Sequence, residues 1–342
     1  MSDETPIFEF LGNIDFSAGK PKKIVSPDIP RGLYSFLLLR TKGTYTKATA
    51  ALNSVPPLSP FTIFQNIKVE CDGNAIINCP GVDLMVYSDY IGRGIAPDFV
   101  APTIQPVSED WDAEMVIPFA CRPSNFPRRT MLPAYIYDQL SLEVTWGTKA
   151  DMGIENASTT GTDLTTVTCE VWGMRWDHIQ SLTRAPYLHQ RIIAQDRTDV
   201  AGVAKTLNDP FKMPLGESYR GVLLFQHQIS PDLGITDLIT KSKKLEIWKN
   251  GRQRIRQFDW ERLTRKNRRD YFAAGSAGLP DGFAFMDFMD DAPDFDFANA
   301  VRTDAGAAVS TFEIKLETAN IATSPQLRQT YITFSDLFKK AA

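Results

Sequence analysis

The stretch 67–76, IKVECDGNAI, is followed at 81–91 by GVDLMVYSDYI, and a second version of the pair stands at 245–255, LEIWKNGRQRI, and 259–272, DWERLTRKNRRDYF. In both, apolar residues alternate with polar ones (Ile67, Val69, Cys71; Leu245, Ile247), a turn dipeptide closes the run (Asp72-Gly73; Asn250-Gly251), and a short segment with helical apolar spacing follows. Alternation with period 2 ending in Asp-Gly or Asn-Gly is a strong short-range hairpin signal, because those residues accept the positive φ a tight turn demands. Val69 lies as far from Ile247 as Gly73 does from Gly251, and that separation is about half the chain. The sequence therefore reads as two copies of one β-rich domain.

Working outward, strand-like runs precede and follow each copy. In the first half they fall at Lys22 to Ser26, Tyr34 to Arg40, Thr62 to Cys71, Asn74 to Asn78, Glu114 to Phe119, Gln139 to Trp146 and Thr165 to Trp172. In the second they fall near His189 to Ala194, then at Tyr219 to His227, Lys244 to Asn250, Gly282 to Phe288, Ser310 to Glu317 and Arg328 to Phe334. Tyr34 with Leu37 to Leu39 is echoed by Tyr219 with Val222 to Leu224. Helices are expected at 82–91 and 259–270, the second capped by Asp259, whose carboxylate can accept a bond from a free backbone N–H. The loops at 92–110 and 147–161 lack periodicity and should project from one end.

Strands with one apolar face must bury it against a second sheet about 10 Å away. Two helices each about 15 Å long cannot cover a whole parallel sheet, which favours sandwiches over an α/β fold. The expectation is an all-β chain: an N-terminal arm over 1–20, a first antiparallel eight-stranded jelly roll over 21–180 and a second over 181–342, each with a short helix. The arm would strap its own domain or reach a neighbouring subunit.

The 342 residues suffice for two domains, and 43% hydrophobic with 23% charged residues is ordinary for a folded protein. A net charge of -4 gives no whole-chain attraction to nucleic acid or anionic lipid. The start, MSDETPIFEF, has no basic region before an apolar run, so folding is expected in the cytoplasm. Cys71, Cys79, Cys121 and Cys169 have no metal-binding spacing; buried free thiols are expected, with some pairing as the alternative.

Chemical motifs are scarce. His178, His189 and His227 form no metal-binding pattern, and the common nucleotide and hydrolase signatures are missing. The acidic stretch Asp281 to Asp296 offers Asp290, Asp291, Asp294 and Asp296 as weak candidates for a structural calcium ion, or a carboxylate pair for glycoside chemistry. Its interleaved phenylalanines also suit a strand followed by a solvated or subunit-contacting loop. The basic stretch Lys249 to Arg269 presents Arg262, Arg265, Lys266, Arg268 and Arg269 as candidates for a subunit or polyanion contact. A merely solvated helix face is the alternative.

Together, VECDGNAI with its helix, AEMVIPFAC and QLSLEVTWG resemble the first jelly roll of the double jelly roll major capsid proteins of tailless, internal-membrane-containing icosahedral viruses, particularly those of bacteria. LEIWKNGRQRIRQFDWERLTRKN, GFAFMDF and STFEIKLET resemble the second roll, so the likeness spans roughly 20–340. The resemblance implies a structural protein with no catalytic site and no cofactor. It implies a homotrimer of pseudo-hexagonal outline, neighbouring capsomers, minor capsid and vertex proteins as partners, peripheral membrane contact through the arm, no specific nucleic acid, and residence in the virion after assembly in host cytoplasm. The rival readings are a tandem β-sandwich carbohydrate-active enzyme or sugar-binding protein, and a viral spike or attachment protein.

Overall fold

A computed structural model describes residues 6–26, 28–46, 58–94, 97, 99–100, 108–122, 127–152, 163–177, 188–197, 211–228, 233–234, 244–273, 278–289, 300–303, 309–317 and 325–336. The principal strands of the first half are β1 (Ile7–Asn13), β2 (Pro21–Val25), β3 (Leu33–Thr46), β4 (Phe64–Cys71), β5 (Asn74–Cys79), β6 (Glu109–Pro118), β7 (Leu140–Trp146) and β8 (Asp163–Trp176). Those of the second are β9 (Leu188–Arg197), β10 (Phe211–Lys212), β11 (Ser218–Gln228), β12 (Lys244–Lys249), β13 (Gln253–Asp259), β14 (Phe283–Asp287), β15 (Phe312–Leu316) and β16 (Pro325–Asp336). Helix α1 (Gly81–Met85) runs on into a π turn over Val86–Ile91, and α2 spans Trp260–Tyr271.

The first half pairs in the orders β1-β8-β3-β6 and β2-β7-β4-β5; the second pairs as β9-β16-β11-β14 and β10-β15-β12-β13. The two halves share one topology, that of a jelly roll, and the chain is a double one. Lateral equivalence is visible in detail. Both hairpins carry a bulge one step along, between Val69 and Glu70 and between Ile247 and Trp248. Asp72 and Gly73 take φ of 48° and 80°, and Asn250 and Gly251 take 54° and 63°, the left-handed values expected of the two dipeptides. Tyr34 and Tyr219 are both fully buried, and each donates its hydroxyl to a proline carbonyl, Pro30 at 2.9 Å and Pro214 at 2.6 Å.

Strand alternation assigns the cores. Leu37, Leu39, Met115, Ile117 and Val171 fill the first roll; Val222, Leu224, Ala284, Met286, Leu327 and Tyr331 fill the second. The opposite face of the second roll's sheet does not meet solvent. Leu223, Phe225, Phe283, Phe285, Ile192 and Ile332 join the first roll's core. The rolls are thereby fused, and β5 pairs in parallel with β9 through Ile77↔Ile192 and Asn78↔Ile193 to make one continuous sheet.

The expected arm is in part an edge strand: β1 pairs antiparallel with β8 from Ile7↔Arg175 to Asn13↔Glu170. The junction over 178–187 lies outside the described residues, as do most of the two long loops. The helix expected over 82–91 divides because the Gly92 amide bonds back to Tyr87 O at 3.0 Å, one residue further than an α-helix would take it.

Candidate assembly surfaces

The best-developed polar site joins the rolls. Asp83, on α1, accepts two bonds from Arg328 on β16, at 2.7 and 2.9 Å, and one from the Thr330 hydroxyl at 2.5 Å. The Arg328 guanidinium also lies 5.0 Å over the Phe225 ring. A two-pronged guanidinium–carboxylate pair satisfies both charges where water is excluded, which is what permits such a pair inside a protein.

A second cluster sits beside it. Arg220 of β11, fully buried, donates to the Tyr87 hydroxyl at 2.5 Å, the Cys121 sulfur at 3.0 Å and the Arg122 carbonyl at 2.7 Å. Its far nitrogen is 3.7 Å from Asp287, which accepts from the Tyr271 hydroxyl and, at 2.8 Å, from the Met289 amide. Tyr87 donates in turn to Gln190 on β9 at 2.9 Å. Every link crosses between the rolls or braces a residue that does, so the cluster fixes their mutual orientation. Burial pushes the Tyr87 hydroxyl well up and the Cys121 thiol up, keeping both neutral.

The sequence candidates divide. Arg262, Arg265, Lys266, Arg268 and Arg269 all lie on α2, whose Asp259 cap accepts from the Arg262 amide at 2.7 Å, as expected. Arg262, Arg265 and Arg269 are 83%, 77% and 75% exposed in their side chains, and lie against Asp259, Glu261 and Asp270 of the same helix. Lys266 also reaches Asp270. Such exposed pairs contribute little, about 0–1 kcal/mol. The face is charged, and its arginine side chains reach into solvent. Asp290, Asp291, Asp294 and Asp296 lie outside the described residues. Their neighbour Asp287 is engaged in the inter-roll cluster.

All four cysteines are free and buried, and burial pushes Cys71 up to about 12, where a thiol is inert. His189 is held neutral: burial and the nearby Arg191 charge lower it to about 4, and it meets the Tyr137 hydroxyl. Among the described residues no group of acidic, histidine or cysteine side chains could hold a metal ion. Nor is any described helix long and apolar enough to cross a membrane.

One surface escaped the sequence reading. On the outer face of the β1-β8-β3-β6 sheet, Phe8 and Phe10 are 48% and 49% exposed. Trp172 stacks on Phe8 at 5.4 Å, and Phe36 follows at 6.4 Å from Phe8. The alternation Phe8–Phe10 was legible, but only the pairing with β8 adds Trp172 and Met174 to it.

No family model and no curated protein matches the chain. Solved structures do. The STIV MCP aligns with a TM-score of 0.71 and 14% identity over 98% of both chains. A subunit of the PBCV-1 virus capsid aligns at 0.61 and 12% over 98% of this chain and 94% of that one. The major capsid protein P2 of bacteriophage PM2 aligns at 0.58 and 12% over 99% and 100%. The fold is thus the double jelly roll found in viral major capsid proteins, as the sequence resemblance implied.

Proposed function

We propose that this chain is a major capsid protein, a structural building block without catalytic activity that resides in the virion. The observation that carries the reading is the shared duplicated jelly roll, matched end to end with the STIV MCP rather than over one roll alone. In this reading three copies form a pseudo-hexagonal capsomer, because each contributes two equivalent rolls. Capsomers then tile an icosahedral shell over an internal membrane. Minor capsid and vertex proteins are further partners, and the N-terminal segment, whose β1 is the first roll's edge strand, contacts lipid or the next subunit. The division into a first roll that takes in β1 and runs to 180 and a second over 181–342 is part of the proposal.

Native mass spectrometry of the purified full chain tests it. The expected species has three times the 38.3 kDa chain mass, with hexagonal outlines in negative-stain images. A protein that stays monomeric up to high micromolar concentration and forms no ordered assembly overturns the reading.

A further inference from the structure

The chain contains a template for its own assembly contact. Inside the molecule, β5 and α1 of the first roll cover the outer face and β9 edge of the second. Every residue of α1 is buried as a result. Among the described residues, nothing covers the equivalent elements on the far sides. β13 and β1 are terminal strands of their sheets among the described residues. Only Trp260, Leu263 and Asn267 of α2 are buried.

The bulges, helix starts and strand registers give residue equivalences. Arg262 stands third in α2 as Asp83 stands third in α1. On the partner side, Leu39 pairs with Val171 as Leu224 pairs with Gln329, so Glu170 occupies the position of Arg328, and Trp172 that of Thr330. Phe8, opposite Met174, takes the place of Ile192, opposite Ile332. Ile192 is fully buried by the inter-roll contact, whereas Phe8 is 48% exposed. The buried internal pair Asp83–Arg328 therefore has an external counterpart with its signs exchanged, Arg262 on the helix and Glu170 on the strand.

We infer that a second copy of this chain docks its β13 edge and α2 onto the β1 edge and outer sheet face of the first roll, repeating the β5–β9 junction, with Arg262 meeting Glu170 and Phe8 buried where Ile192 is buried inside the chain. Three observations meet here: among the described residues, an unpaired edge on each side and an apolar face without cover, and opposite charges at equivalent positions. Arginine suits the contact because its planar group can bind a carboxylate and lie over the Trp172 ring together. The contact is head-to-tail, so repetition generates a ring rather than an isolated pair when the rotation closes. The inference rests on the capsomer reading.

The test uses the full chain in native mass spectrometry and sedimentation at low salt. Arg262→Glu and Glu170→Arg are each expected to raise the dissociation constant of the oligomer about tenfold or more, and the double exchange to restore most of the loss. Circular dichroism checks that each variant folds. Independently, Arg256 faces Ile247 as Ile77, the partner of Ile192, faces Val69, so mixing an Arg256→Cys chain with a Phe8→Cys chain should give an inter-chain disulfide under mild oxidation. A wild-type protein that never oligomerises overturns the capsomer reading itself. An oligomer that forms normally with both charge reversals and yields no Phe8–Arg256 cross-link overturns this interface while leaving the capsomer reading standing.

Discussion

Asp83 and Arg328 leave 1% and 4% of their side chains exposed, so neither charge can fall back on water if its partner is removed. Arg328→Met should therefore destabilise the chain by about 3–5 kcal/mol in urea unfolding, whereas Asp83→Leu with Arg328→Met should recover most of that loss. An additive double mutant would show that the pair does not act as a unit. Two titrating groups, half-buried His189 and buried Asp89, set opposite pH slopes. His189 is lowered from 6.5 to about 4, so the unfolded chain binds its proton more readily. Its contribution is intact above 6.5 and is lost as pH falls towards 4. Asp89 is raised from 3.8 to about 6 by burial, partly opposed by Arg93, so its contribution is present below 3.8 and lost as pH rises through 6. His189→Gln should flatten acid destabilisation between pH 6.5 and 4, and Asp89→Asn should steepen it, both read from urea midpoints across that window. Neither environment could be inferred from the chain alone, since both depend on packing around a single side chain.

At the scale of elements, local chemistry governs what forms. Removing the α2 cap with Asp259→Ala should cost about 1 kcal/mol, measured as a lowered denaturation midpoint, because the Arg262 amide loses its acceptor. Reversing Arg265 and Arg268 together should weaken assembly at low salt and leave folding intact; oligomer stability that ignores salt would remove the basic face from the interface. The hairpins, the cap and most strands were legible because their signals are local: alternation, a turn dipeptide, a capping carboxylate. β6 begins at Glu109 rather than at Glu114 because β3 continues to Thr46 and pairs with the added residues, which bury Trp111 and Ala113 between the polar Glu109, Asp110 and Asp112. β10 consists of Phe211 and Lys212, too short to carry any period, and exists only because Ile314 and Glu313 lie opposite.

Across the whole molecule, the rolls share a core rather than a linker, so they should unfold together. One cooperative transition is expected by fluorescence and circular dichroism, and Ile192→Ala should lower stability by about 2–5 kcal/mol because the cavity opens where both rolls meet. Two separated transitions would mean that the junction is weaker than its burial implies. The duplication visible in the two hairpins extends to strand order, bulge position and the tyrosine–proline closures. The same symmetry points outward to the contact between copies.

The sequence by itself determined the duplicated hairpin–helix unit, the all-β class and the capped basic helix, because period, turn residues and caps act over a few residues of chain. Only the tertiary structure decided that one roll buries the outer face of the other, that Asp83 finds Arg328, and that Phe8 and Trp172 form one uncovered patch. Those contacts join positions far apart in the chain, and no local propensity encodes which apolar face will find a partner inside the molecule and which is left for another copy.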